Sequence, residues 1–172
     1  MRKHNGMRPQ DVAILLKIIA LNNEKFNLTD LSATLFISLS EISESLNRSK
    51  SAQLLAANKK RVMRQNLFEF LEHGVKYVFP AEPGKYTRGI ATAHSYKFIK
   101  ERIESEIEYV WPSPEGNILG LMIEPFFNKQ VEAARLDETF YKLLALVDVI
   151  RVGKVREVKM ATKELKEIIH ES

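Results

Sequence analysis

The 172 residues contain no cysteine. Disulfides, thiolate metal sites and cysteine nucleophiles are therefore excluded, which fits a reducing compartment. Glycine and proline are scarce, at 7 and 6 residues, and no internal repeat or low-complexity tract occurs. Disorder is not expected from such a composition. Neither a phosphate-binding glycine loop nor a dinucleotide glycine motif is present, and the glycines at 84, 89, 116 and 120 read as turn residues. Four scattered histidines, His4, His73, His94 and His170, lack metal-ligand spacing. Thr92 and His94 lie close together but in no nucleophile motif, and the alternating Glu104, Glu106 and Glu108 suit a solvated face. These absences argue against an enzyme, a metal site and a cofactor.

Long apolar runs are also missing. "MRKHNGMRPQDVAILLKIIAL" is basic first and apolar afterwards, yet Asp11 and Lys17 interrupt it and no small-x-small cleavage site follows. Roughly 20 apolar residues are needed to span a bilayer, so a cytoplasmic chain with no membrane partner is expected.

The chain is 45% apolar and 28% charged, ordinary for a globular protein, and long enough for one generous domain or two small ones sharing a core. A net charge of +4 says little about partners, but its distribution says more. Between Asn47 and Arg64 stand six basic residues, Arg48, Lys50, Lys59, Lys60, Arg61 and Arg64, and no acid. A local field of that kind suits a polyanion.

Pro9 opens a helix whose Val12, Leu15, Leu16 and Ile19 share one face. Asn27 or Thr29 caps a second, short helix through Leu31 and Leu35, which breaks at Phe36 and Ile37. Ser38 with Glu41 forms a capping-box pattern for a third. There Leu39, Ile42, Leu46, Ser49 and Gln53 face inward, while Ser40, Glu44, Asn47, Arg48 and Ser51 face outward with Ser43 at their edge. "QLLAANKKRVMRQ" reads as a β-hairpin around Asn58, Lys59 and Lys60. Asn66 and Glu69 start a helix that Pro80 stops, with Leu67, Phe70, Leu71, Val75 and Val78 as core. Residues 80–95 form a loop, in which Thr87, Arg88, Gly89 and His94 are read as packed surface rather than as ligand contacts. A short helix over Tyr96 to Glu104 precedes two β-like runs joined by "PSPEGN". Two helices end the chain, one with Phe140, Leu143, Leu144, Val147 and Ile150 as its stripe, the other with Val155, Val158, Leu165, Ile168 and Ile169. The expected class is α+β, mainly α with small β elements.

"LTDLSATLFISLSEISESLNRSKSAQLL", residues 28–55, resembles the DNA-binding segment of bacterial winged helix-turn-helix regulators of the MarR type. Leu31, Leu35, Ile37, Ser38, Ile42, Ser43, Leu46, Leu54 and Leu55 fall where that pattern expects them. Phe36 stands where the turn favours glycine, Gln53 replaces a common glycine before the hairpin, and Ser49 replaces an apolar residue. The rest of the chain resembles a group of uncharacterised bacterial helix-turn-helix proteins, some of them encoded beside nucleotidyltransferase-type toxins.

The resemblance implies a winged helix-turn-helix over 1–80, a structured loop over 81–95, and a β-hairpin plus two helices over 96–172 for dimerisation or partner binding. It implies a transcriptional regulator, a repressor, that binds double-stranded DNA as a homodimer through a recognition helix near 38–53 and a basic wing near 54–64. Asn47 and Arg48 are then the base readers, and Ser40, Ser43 and Ser51 bond phosphate or base. Lys50, Lys59, Lys60, Arg61 and Arg64 neutralise phosphates, while Glu44 must accept from a cytosine amino group or weaken binding. The alternative is an antitoxin-like or scaffold protein whose C-terminal half binds a protein partner.

Overall fold

The computed structural model describes residues 6–22 and 25–171; His4 lies outside them. The first five helices are α1 (Pro9–Ala20), α2 (Leu28–Leu35), α3 (Leu39–Ser51), α4 (Arg64–His73) and α5 (Val75–Val78). Strand β1 (Tyr86–Ala91), a 3-10 turn (Ala93–Ser95), α6 (Lys97–Lys100), β2 (Tyr109–Pro112) and β3 (Ile118–Met122) follow. The chain ends with α7 (Gln130–Arg135), α8 (Glu138–Val152) and α9 (Val155–Glu171). This is a mixed α+β fold in which helix predominates. No helix among the described residues is long and apolar enough to cross a membrane.

Pro9 occupies the first turn of α1 as expected, and the Asp11 carboxylate accepts from the Arg8 backbone N–H at 2.8 Å. The helix is buried over every position from Asp11 to Ile19, not along one face, because α3 and α8 both pack on it. Its two charged residues are satisfied by ion pairs: Lys17 reaches Asp137 at 2.6 Å, and Asp11 reaches Arg48 at 2.7 Å.

Helix α8 is equally enclosed, with Phe140 and every residue from Leu143 to Ile150 buried. It packs on α1, α5, α7 and α9, and α9 adds Ala161, Leu165 and Ile169. The α8 stripe expected to form a dimer surface is thus internal core, whereas of the α9 stripe Leu165 and Ile169 are buried, Val158 and Ile168 half-buried and Val155 73% exposed. One hydrophobic cluster runs from Val12 to Ile169, so the expected 1–80 and 96–172 units share it.

The helix expected to run unbroken to Pro80 is interrupted at Gly74, leaving Val78 exposed and Phe68 buried in its place. It starts at Arg64, two residues before Asn66, whose amide instead donates to the Gln53 carbonyl at 2.7 Å. Over 96–104 only Lys97–Lys100 is α-helical.

Of residues 80–95, expected as a loop, 86–91 form a strand and 93–95 a 3-10 turn. β1 pairs antiparallel with β2, Ala91 opposite Val110, and with β3, Tyr86 opposite Leu121. β2 and β3 lie parallel, Tyr109 beside Leu121, so the three strands close into a small barrel instead of the expected β2–β3 hairpin. Closure rests on two glycines at the crossing: a Cβ on Gly116 would come 2.1 Å from the Gly89 carbonyl oxygen, and one on Gly89 would come 2.1 Å from that of Trp111. Gly89 and Gly120 are strand residues, not turn residues.

The barrel docks on α8 through a buried polar cluster. Asp148, fully buried, accepts from Thr92 Oγ1 at 2.7 Å, Trp111 Nε1 at 2.7 Å and Arg151 Nη1 at 2.9 Å. Arg151 also donates to the Phe79 carbonyl at 2.9 Å.

Candidate nucleic-acid interface

Helices α2 and α3 are set by their caps. The Asn27 side chain accepts from the Asp30 N–H at 2.8 Å, and Ser38 Oγ accepts from the Glu41 N–H at 3.3 Å. The second half of the expected capping box is absent, because the Glu41 carboxylate turns to Arg48, Gln10 and Arg8.

The turn between the helices is made by Phe36, whose φ of 56° and ψ of 36° lie in the left-handed region. Gln53, after α3, also has a left-handed φ, 61°. These are the two positions where the family pattern favours glycine, and both need a backbone that a β-carbon strains. Because the Phe36 ring is half exposed, Phe36→Gly gives up little packing. The substitution is expected to raise stability by roughly 0.5 to 1 kcal/mol in urea unfolding, the strain relieved exceeding the entropy glycine adds to the unfolded chain. A lower midpoint would show that the ring contributes more than its exposure suggests.

Ile42, Ser45, Leu46, Arg48 and Ser49 form the buried face of α3. Ser40, Glu44, Lys50 and Ser51 are exposed, with Ser43 and Asn47 half-buried beside them. At 100° per residue Ser40, Glu44, Asn47 and Ser51 make one outer row. Leu39, expected inward, is 49% exposed at the N-terminal edge of this face, and Gln53 lies exposed beyond the helix end.

Arg48 requires correction. Its guanidinium is buried, donating to Asp11 through Nε at 2.8 Å and Nη2 at 2.7 Å, and to Glu41 at 2.7 Å. The hydrogen bond to Asp11, reinforced by Glu41, holds its pKa above the ordinary arginine value. Such a group joins α3 to α1 and cannot reach a base edge.

The expected hairpin over 54–63 is reduced to one antiparallel bridge, Leu55 with Val62, flanked by the Ala56 N–H donating to the Arg61 carbonyl at 2.8 Å. Asn58, Lys59 and Lys60 do form its tip, Lys59 in the left-handed region. Arg64 is also corrected: it begins α4 and donates through Nη1 to the Ile169 carbonyl at 2.5 Å, tying α4 to the end of α9. Burial lowers its pKa from the usual arginine value.

The remaining cations are differently placed. Lys50, Lys60 and Arg61 are exposed and Lys59 is half-buried, and among the described residues none of their side chains has an ion-pair partner. Lys50 and Arg61 stand on the wall of one open groove of about 470 Å3 between the end of α3 and the hairpin. Lys25, which nothing in the polar connection before α2 singled out, joins Lys60, Arg61 and Arg64 around a second cavity.

Comparison with family models, with curated proteins and with solved structures found no match. The geometry therefore stands alone. It offers a helix face of hydroxyls, one amide and one acid, an apolar residue at its N-terminal end, and four cations without ion-pair partners among the described residues, Lys50 on the helix itself and Lys59, Lys60 and Arg61 on the following hairpin. Hydroxyl and amide groups can bond base edges or phosphate oxygens, and unpaired lysine and arginine can replace phosphate counterions. Of the histidines, His94 is buried and pairs through Nε2 with Glu157 at 2.8 Å. Among the described residues no three His, Cys, Asp or Glu side chains come together as a metal would require.

Proposed function

We propose that this chain binds double-stranded DNA and regulates transcription, with α2, the Phe36 turn and α3 as a helix-turn-helix and residues 54–64 as a short wing. What supports the reading is one juxtaposition: Lys50 at the end of α3 and Arg61 of the hairpin line one groove, and among the described residues Lys50, Lys59, Lys60 and Arg61 have no ion-pair partner. A helix fits the major groove, and flanking cations fix its register on the phosphates. Asn47 is the base reader, able to make a bidentate contact to adenine, and Leu39 can meet a thymine methyl. Glu44 selects cytosine or disfavours binding. Lys50, Lys59, Lys60 and Arg61 take the phosphates, whereas Arg48 and Arg64 do not.

Anisotropy titration on DNA from upstream of the gene tests this. With four cations replacing counterions, log K should fall with log salt at a slope of roughly −3 to −4. Lys59, Lys60 and Arg61 to Ala should weaken all duplexes alike, whereas Asn47→Ala should cost about 1 to 3 kcal/mol on the preferred sequence only. No binding, or binding indifferent to both sets, would remove the reading. A repressor acting as a homodimer would set two recognition helices about 34 Å apart, and because the α8 stripe is consumed within the chain, its contact does not use that stripe. Sedimentation of the DNA complex gives that stoichiometry.

One observation favours the second reading, a protein partner. Tyr86 and Leu119, 62% and 66% exposed, are diagonal neighbours on the outer face of the barrel.

A further inference from the structure

Helix α9 packs against α4, and an open groove of about 380 Å3 lies between them. Phe68, buried, and Val158 and Thr162, half-buried, make its floor, while Lys159, Lys163 and Lys166 stand exposed at its rim. The lysines follow one another by four and three residues, so they share one face of α9. None of them has an ion-pair partner among the described residues, and the Lys166 Nζ lies 6.0 Å from the centre of the Phe68 ring. The nearby acids do not neutralise them. Glu157 is paired with His94, Glu164 with Lys142, and Glu72 on the α4 side of the groove with His73. Glu167 is exposed and forms no ion pair with them.

An opposite surface exists elsewhere on the same chain. Residues 104–107, "ESEI", form a tip between α6 and β2, with Glu104 and Glu106 exposed and Ile107 41% exposed. Among the described residues neither Glu104 nor Glu106 has an ion-pair partner, whereas the flanking Glu101 and Glu108 are answered by Arg102 and Lys100. The tip is ordered from within. Ser105 Oγ donates to the Ile107 carbonyl at 3.1 Å and accepts from the Ile107 N–H at 3.2 Å, and Ile103 is buried behind it. A segment already held in one shape loses little conformational freedom when it docks.

Like charges three and four residues apart on a helix repel, and an anionic partner relieves that repulsion. A phosphate group alone would satisfy the lysines and leave Phe68 and Val158 facing water. Two carboxylates beside one apolar side chain satisfy both. We propose that the α4/α9 groove receives the 104–107 tip of a second copy of this chain, Ile107 against Phe68 and Val158, and Glu104 and Glu106 against Lys159, Lys163 and Lys166. A two-fold axis lets each copy offer its tip to the other's groove, so the contact is made twice and the pair is closed. Its charges are exposed and its area is small, which makes the association weak and sensitive to salt. It uses no residue of α3 or of the hairpin, so it does not rest on the DNA reading.

The test is sedimentation velocity of the full chain without DNA, from about 10 to 300 µM. Wild type is expected to pass from monomer to dimer over that range at about 0.05 M salt, with affinity about tenfold lower at about 0.5 M. Glu104→Lys with Glu106→Lys in one variant, and Lys159→Glu with Lys163→Glu in another, should each abolish the dimer and leave the melting temperature in place, because all four side chains are exposed. An equimolar mixture of the two variants should associate again, since each then meets opposite charge at both contacts. A wild type that stays monomeric or grows beyond a dimer, variants that dimerise as wild type does, or a mixture that stays monomeric would overturn the proposal. Loss of DNA binding with the dimer intact would remove the function proposed above and keep this contact.

Discussion

Arg48→Ala is expected to lower the stability of the chain by about 3 to 5 kcal/mol in urea unfolding, the cost of leaving a buried charge without its partner. Asp11 is fully buried and receives two of the guanidinium's hydrogen bonds, and Glu41 receives a third. Among the described residues, removing Arg48 leaves the Asp11 carboxylate with the Arg8 N–H as its one remaining donor. Had Arg48 been a base reader, its loss would cost about 1 to 3 kcal/mol of DNA affinity and leave folding almost untouched. The two outcomes differ in kind. A companion, Arg48→Met with Asp11→Asn, removes both charges at similar volume and should recover most of the lost stability. A fully stable Arg48→Ala protein would show that this ion pair does not hold α3 on α1.

Asp148→Ala is the second large effect, again about 3 to 5 kcal/mol, because it strands the Arg151 charge and the Trp111 and Thr92 donors where the barrel meets α8. Trp111 is fully buried, so its loss of order should appear in near-ultraviolet dichroism as well as in the unfolding midpoint. Asp148→Asn is the milder variant and carries a pH signature. Burial pushes the Asp148 pKa above its ordinary value despite Arg151 and the two neutral donors. The folded chain therefore holds this proton more firmly than the unfolded chain, and wild type loses stability relative to Asp148→Asn as pH rises from about 4 through the folded pKa. Below and above that window the difference is flat. A wild type that gains on Asp148→Asn with rising pH would mean that Arg151 and the two donors outweigh burial.

The local signals were legible where one turn of chain carries them. Pro9, Asn27 and Ser38 mark helix starts because each acts on backbone groups within three residues of itself. The 3.6-residue period located α3 and the two C-terminal helices, since burial of one face needs only that spacing. The same period does not say what a polar residue meets. Arg48 sits at the border of the polar face of α3, and only the approach of Asp11, 37 residues away, turns it inward. Lys17 is answered by Asp137, 120 residues away. The amphipathic stripe of α8 was equally ambiguous, because an internal partner and a second copy demand the same pattern.

β1 was hidden for another reason. "YTRGIA" has exposed, intermediate and buried positions in no clean alternation, because a three-stranded barrel turns each strand through several environments. Without β1, the runs at 109–112 and 118–122 looked like a hairpin, although they join mainly through the strand between them.

By itself the sequence determined the starts of α1, α2 and α3, the α+β class, the absence of thiol chemistry and the concentration of cations between 47 and 64, since these depend on composition and neighbours along the chain. Tertiary structure alone decided which of those cations remain without ion-pair partners, that α1 and α8 are enclosed, and that β1 closes a barrel. Each of these depends on a group far away in the chain, and burial of charge is tolerated only where such a partner arrives.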